Sequence, residues 1–349
     1  MLLGFGCTCS RECKMAIDDW SKIARLVALV AAMTVSLAAT GQSGQGDKVY
    51  RIGFLAFGPH PVGTVVTSPL VAFRQTLRER GYVEGENLIL DERWAEAHLD
   101  RLPALAAELF QLNPDIIVAS GASAVRAAMR ETQEIPIIIA GAPDPVGEGL
   151  VQSLAQPGAN VTGVSALPGR EFEGKRLQLL QQTIPGITRV AVILDSTSRL
   201  DPALLESAAN ALGLTLLFSA ETESPDEFRD TFEDMIEDHA DAVYAPETPV
   251  NVRQRKLLVE LALEHRLPAM YASREYVEAG GLMSYGPNFS ELFSRAAIYT
   301  DKILKGANPG ELPVEQPLHL EFLINQKAAR LLGINFPTKI LMQVDEVIQ

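Results

Sequence analysis

A scattered set of residues has the chemistry to grip a small polar molecule. Ser120, Gly121 and Ala122 open the stretch "SGAS" (120–123), straight after a buried apolar run and at the start of a helical pattern. Backbone N–H groups at such a start point outward, and the helix dipole favours an anion there. Gly121 and Ala122 are small enough to let a carboxylate approach, while the flanking serines serve equally as helix caps. Asp144 stands between Pro143 and Pro145, which fix φ on either side and remove two backbone donors. A carboxylate held this stiffly suits a ligand ammonium, or an Asx turn on its own loop. Glu247 in "PETP" (246–249) and Ser196 in "DSTS" (195–198) add a carboxylate and a hydroxyl, with capping as the alternative use. Phe57, Tyr271 and Tyr285 end apolar runs. Such rings either sandwich an apolar or aromatic part of a ligand or pack into the core.

Catalytic patterns are thin. His60, His98, His239, His265 and His319 are scattered, with no pair at metal-ligand spacing, and no Gly-x-Ser-x-Gly elbow occurs. "GREFEGKR" (169–176) follows a phosphate loop until Arg176 replaces the Ser/Thr that would hold magnesium, and Glu171 and Glu173 repel phosphate. It reads as a charged helix start. No metal, no cofactor and no enzymatic activity are expected. The formal net charge of −14 argues against general nucleic-acid binding, which needs a basic face.

The strand-end position of these residues follows from the pattern around them. Strand-like runs at 49–57, 87–94, 115–120 and 135–141 alternate with helical runs at 68–81, 99–112 and 122–131. Residues 149–165 read as a short helix, a Pro-Gly turn and another strand. The alternation then restarts, with strands at 187–196, 214–220, 240–246, 267–273 and 280–287 and helices at 201–213, 224–238, 252–265 and 289–306. Alternation at this spacing means parallel βαβ units, and continuous apolar runs mean strands covered on both faces. Two successive sets predict an α/β protein of two doubly wound parallel-sheet lobes with a stiff hinge. In open parallel sheets ligands bind beyond the C-terminal strand ends, where the candidate residues fall.

The first 46 residues differ from the rest. Arg11, Lys14, Lys22 and Arg25 precede an apolar run, Leu26–Ala39, followed by small and polar residues. This reads as a secretory signal peptide and short linker, cleaved near Ala38, with Met15 as a second candidate start. Cys7, Cys9 and Cys13 all lie in this leader. The mature chain therefore has neither a disulfide nor an evident lipid-anchoring cysteine.

The blocks "GYVEGENLILDERWAE", "PDIIVASG", "DPVGEGLVQSLAQPGANVTGVS", "GLMSYGPNFSELFSRAAIYTDKILKGANPGELPVEQP" and "INQKAARLLGINFP" resemble the ABC-transporter substrate-binding family of the type 1 periplasmic-binding fold, in a branch with members similar to tryptophan- or phenylalanine-binding proteins. The resemblance implies three crossings between the lobes. Lobe 1 would comprise 47–166 plus 288–315, and lobe 2 would comprise 167–287 plus 316–349. It implies a cleft with Ser120, Gly121, Ala122 and Asp144 on the first wall and Ser196, Glu247, Tyr271 and Tyr285 on the second. The expected protein is a monomeric periplasmic receptor that hands a small amino-acid-like or carboxylated solute to an ABC permease in the inner membrane. The alternative is a ligand-sensing input to a chemoreceptor or histidine kinase.

Overall fold

Chain alternation resolves into two separate sheets. The computed structural model describes residues 48–58, 60, 69–96, 98–167, 172–195, 197–198 and 200–349. The expected leader and Ser196 lie outside the described residues. The first sheet holds β1 (Tyr50–Ala56), β2 (Leu88–Trp94), β3 (Ile116–Ser120), β4 (Ile137–Ala142) and β5 (Val161–Ser165) in the order β2-β1-β3-β4-β5. Every pairing in it is parallel. β3 and β4 are apolar and buried almost throughout, as strands covered on both faces must be. One face is closed by the helices Leu102–Gln111 and Ala122–Glu131 with Leu109, Ala124 and Val125. The other is closed by Pro69–Glu79 with Leu70, Phe73 and Leu77.

The second sheet holds β6 (Arg189–Leu194), β7 (Thr215–Glu221), β8 (Ala242–Ala245), β9 (Ala269–Tyr271), β10 (Met283–Pro287), β11 (Leu320–Asn325) and β12 (Glu346–Ile348) in the order β12-β11-β10-β9-β8-β6-β7. Two of its helices open as their sequences predict. Asp201 accepts from the amides of Ala203 and Leu204 ahead of Pro202–Ala211, and Ser224 forms a complete capping box with Glu227 ahead of Pro225–Glu237.

The chain changes sheet more than once. After β10 the helix Phe289–Leu304 packs its Leu292, Phe293, Ala296 and Ile303 on the first sheet's core, beside Leu70 and Phe73. The chain then runs along the edge of β5, where Ser165 N–H donates to Glu315 O at 2.8 Å and Glu315 N–H to Gly163 O at 3.0 Å. It re-enters the second sheet as β11. On its other side β5 lies tight against β4 at Gly163, where a Cβ would collide with the Ile139 backbone.

Two local expectations are corrected, and the strand β11 is new. Residues 149–153 form turns rather than a short helix. Pro145 O accepts both Leu150 N–H and Val151 N–H, and Gly149 sits at φ 69°, which ends any helical run. The helix expected at 252–265 is two, Pro249–Arg253 and Arg255–Glu264, broken at Gln254. β11 pairs antiparallel with β10, because the chain comes back to the second sheet from the other lobe instead of through a βαβ crossover.

Candidate functional site

On the first lobe the site is built where β3 turns into the helix Ala122–Glu131. Gly121 is the N-cap at φ 83°, ψ 155°, and no side chain caps the helix. The left-handed φ is a glycine conformation. A Cβ on Gly121 would meet nothing within 4 Å, so the spot is open. Ser120 is half-buried beside it, and Ala122 is buried in the same apolar cluster as Phe57. Phe57 thus packs beneath this wall.

The loop after β4 lies alongside. Asp144 is half-buried, and its Oδ1 accepts the Gly147 N–H at 2.8 Å while its carbonyl accepts the Glu148 N–H at 2.9 Å. This is the Asx turn that the two prolines and the acid allow. Arg126 ties the loop to the helix through Glu148 at 2.9 Å. Leu150 and Val151 seat it on Ala124 and Val125.

The second lobe presents a denser polar rim at the ends of β6, β8, β9 and β10. Arg176, 0% exposed, sits at its centre on the helix Phe172–Thr183. Its Nε donates to Tyr285 O at 2.7 Å, Nη1 to Glu173 Oε2 at 2.9 Å and to Tyr244 Oη at 3.0 Å, and Nη2 to Ala272 O at 3.1 Å. The Tyr244 hydroxyl in turn donates to Glu173. One guanidinium therefore joins the ends of three strands to a helix start, which its fork of donors suits. Its carbon lies 4.6 Å from the centre of the Phe172 ring, and Phe172 stacks on Tyr285 with centroids 5.0 Å apart. Burial raises the Tyr285 phenol, with Asp345 adding to the effect.

Glu247 follows β8 in a half-buried position. Its Oε2 is sealed from solvent without a hydrogen-bond partner, as are Ser273 Oγ, Glu275 Oε2 and Tyr276 Oη. Desolvation, helped by the charge of Glu275, pushes the Glu247 carboxyl up to about 8 against the opposing pull of Arg176. Next to it, Asp195 accepts from the Thr197 amide at 2.8 Å and from the hydroxyls of Thr197 and Thr248, pinning the loops after β6 and β8 together.

The structure thus gathers Phe57, Ser120, Gly121, Ala122 and Asp144 at one set of strand ends, and Glu247 and Tyr285 at the other. Tyr271 is 2% exposed and lies in the core, stacked on Tyr276 at 4.8 Å. Sequence reading missed Phe172, Glu173 and Arg176, along with Tyr244, Glu275 and Tyr276, and in the strand ends 195–198 and 271–273 it singled out Ser196 and Tyr271 rather than Asp195 and Ser273. The signal for Arg176 was its spacing: Phe172, Arg176, Leu179, Leu180 and Thr183 share the buried helix face. Among the described residues no group of three His, Cys, Asp or Glu is placed to hold a metal. A surface hollow of about 720 Å³, lined by Thr132, Asn160, Gly310 and neighbours, lies at the opposite strand ends. Its Thr132 hydroxyl oxygen is spent on closing its own turn, and the Asn160 amide on tying its loop to the Ile135 carbonyl.

Residues 68–348 match the family described as ABC transporter substrate binding protein. The chain belongs to this family. Among relatives of this substrate-binding protein, a "Tyrosine-binding protein" of Clostridioides difficile (strain R20291) is 25% identical over 265 residues, 75% of each chain. A conserved domain protein from Vibrio cholerae O1 biovar eltor superposes with a TM-score of 0.77 at 27% identity, over 86% of this chain and 100% of that one. An ABC domain from Streptococcus pneumonia solved in complex with L-Trp does so with a TM-score of 0.77 at 25% identity, again over 86% and 100%.

Proposed function

We propose that this chain is the extracytoplasmic receptor of an ABC importer and that it takes an aromatic amino acid between its two lobes. The observation that carries the reading is the complementary chemistry of the two rims. One offers an uncapped helix start opened by Gly121; the other offers a carboxyl, Glu247, with an unpartnered oxygen. A zwitterion matches both, its carboxylate on the amides that begin Ala122–Glu131 and its ammonium on an acid, Glu247 or Asp144. The Phe172–Tyr285 stack supplies a flat apolar surface for an aromatic side chain. The tyrosine and L-Trp named for two relatives favour the same solute class.

Mechanistically, a solute that contacts only one rim gives closure no advantage. A solute that bridges both stabilises the closed form by its differential affinity. The closed, filled receptor, a monomer in the periplasm, is what an inner-membrane permease would recognise. The test is thermal unfolding of the purified protein with each of the twenty L-amino acids. A ligand at a hundred times its Kd adds about 2.7 kcal/mol, so L-tyrosine or L-tryptophan is expected to raise the Tm by several degrees. If no amino acid shifts the transition, the solute class is wrong.

A further inference from the structure

Two acids compete for the ammonium in the reading above, and the structure separates them. Asp144 already accepts the Gly147 amide at 2.8 Å and shapes its own loop. Glu247 is different. It follows β8 in a half-buried position, with Oε2 sealed and unpartnered. Around it, Tyr276, 0% exposed, holds a hydroxyl that also lacks a partner, Glu275 Oε2 is sealed likewise, and the hydroxyl of Ser273, 1% exposed, faces the Glu247 carboxyl. Buried polar groups are normally satisfied, so a cluster of orphans marks a place where a group is still to arrive.

Resting on the amino-acid reading of the cleft, we propose that Glu247 alone receives the solute's ammonium, that it is a neutral carboxylic acid before the solute arrives, and that binding exchanges its proton for the ammonium. The Glu247 O–H bond breaks and its proton goes to bulk water. The ammonium keeps its three protons and donates one hydrogen bond to the carboxylate formed. The hydroxyl oxygens of Ser273 and Tyr276 stand ready to accept the others.

The charges around Glu247 hold it neutral until then. Glu275, on the helix Arg274–Glu278, and Glu173, on Phe172–Thr183, oppose ionisation, while Arg176 and the Ser273 hydroxyl favour it. Burial keeps the Tyr276 phenol protonated, with the charges of Glu247 and Glu275 adding to the effect and Arg255 opposing it. Burial of the carboxyl outweighs the favourable pair, consistent with a titration near 8. An incoming cation tips that balance, because it adds an opposite charge at contact distance.

The experiment is titration calorimetry of the full-length mature protein with L-tyrosine and L-tryptophan in buffers of different ionisation enthalpy. From a titration near 8, the wild type is expected to release about one proton per solute at about pH 6 and about a quarter of one at about pH 8.5. Glu247→Gln is expected to release none and to bind at least about 30-fold more weakly. Glu275→Gln, which removes the main opposing charge, is expected to move the half-release point to lower pH. Binding by the wild type with no buffer dependence overturns this inference and leaves the proposed function standing. Uptake of neither amino acid by the wild type overturns the cleft reading and this inference with it. A Glu247→Gln protein that binds as tightly as the wild type overturns the assignment of the ammonium to Glu247 alone.

Discussion

The Nε–H of Arg176 donates to the carbonyl oxygen of Tyr285 at 2.7 Å, linking a helix start to the strand end that carries an aromatic face. No solvent reaches this guanidinium, and its other donors go to Glu173, Tyr244 and Ala272. Removing it strands a half-buried carboxylate and two carbonyls. Arg176→Met is expected to destabilise the protein by about 3–5 kcal/mol, because the partners of a buried charge are left uncompensated. Arg176→Lys keeps the charge but not the planar fork and is expected to cost about 1–3 kcal/mol. Urea denaturation of both variants checks the order, and a Met variant as stable as the wild type would show that the guanidinium organises nothing.

Gly121 and Gly286 are glycines for opposite reasons. Gly121 adopts φ 83° in open space, so Gly121→Ala meets strain but no collision. A loss of about 1 kcal/mol is expected, with weaker amino-acid binding because a methyl group then stands in front of the helix amides. Gly286 needs no unusual φ, but a Cβ there would run into the Ala272 carbonyl oxygen. Gly286→Ala must push β9 and β10 apart, and at least about 1–3 kcal/mol is expected from such overpacking. Thermal unfolding distinguishes the two, and equal losses would contradict this account.

Much of the scaffold was legible in the sequence because the signals are local. The continuous apolar runs of β3 and β4 and the Asp201-Pro202 and Ser224-Pro225 helix openings all carry their meaning within a few residues. The site was legible only in part. Position after a strand placed Gly121 and Glu247 at the rims, but position could not tell that Asp144 would turn back on Gly147, nor that Tyr271 would stack on Tyr276 in the core. Arg176 was read only as part of a charged helix start, and a helix does begin there, but its burial went unseen because a charge is normally exposed. Its partners come from strands 68 to 109 residues away, and no local pattern announces them. The antiparallel β11 was hidden for the same reason, since its partner is reached only after the chain has visited the other lobe.

Glu247 should make the free protein less stable as pH rises. Its folded-state titration near 8 lies above the ordinary value of 4.5. Between those values the unfolded chain has released the proton while the folded protein still holds it, so stability falls through this window and the loss is complete above about pH 8. Glu247→Gln removes the titration. Without solute, the variant is expected to match the wild type near pH 4.5 and to exceed it by about 1–3 kcal/mol at about pH 8.5. Paired urea melts at the two pH values provide the check, and a constant difference would mean that the carboxyl ionises as freely in the fold as out of it.

Asp301 gives the opposite slope and tests the attachment of the long helix to the first sheet. It is 3% exposed and takes Arg80 Nη1 at 2.8 Å, Tyr82 Oη at 3.0 Å and Lys305 Nζ at 2.7 Å. Burial alone would raise its carboxyl, but these three donors outweigh burial and hold it below the usual 3.8. The stabilisation is therefore fully present above pH 3.8 and is lost as the pH falls through the lower folded-state value. Because Arg80 and Lys305 are partly exposed, solvent screening trims the effect. Asp301→Asn is expected to cost about 1–3 kcal/mol at neutral pH, and that deficit should shrink in strong acid, where the wild-type carboxyl is also neutral. Hydrogen exchange should place the loss in Phe289–Leu304 and the turn after Pro69–Glu79, the two segments that Asp301 joins. A deficit that stays constant into acid would assign the role of Asp301 to shape rather than charge.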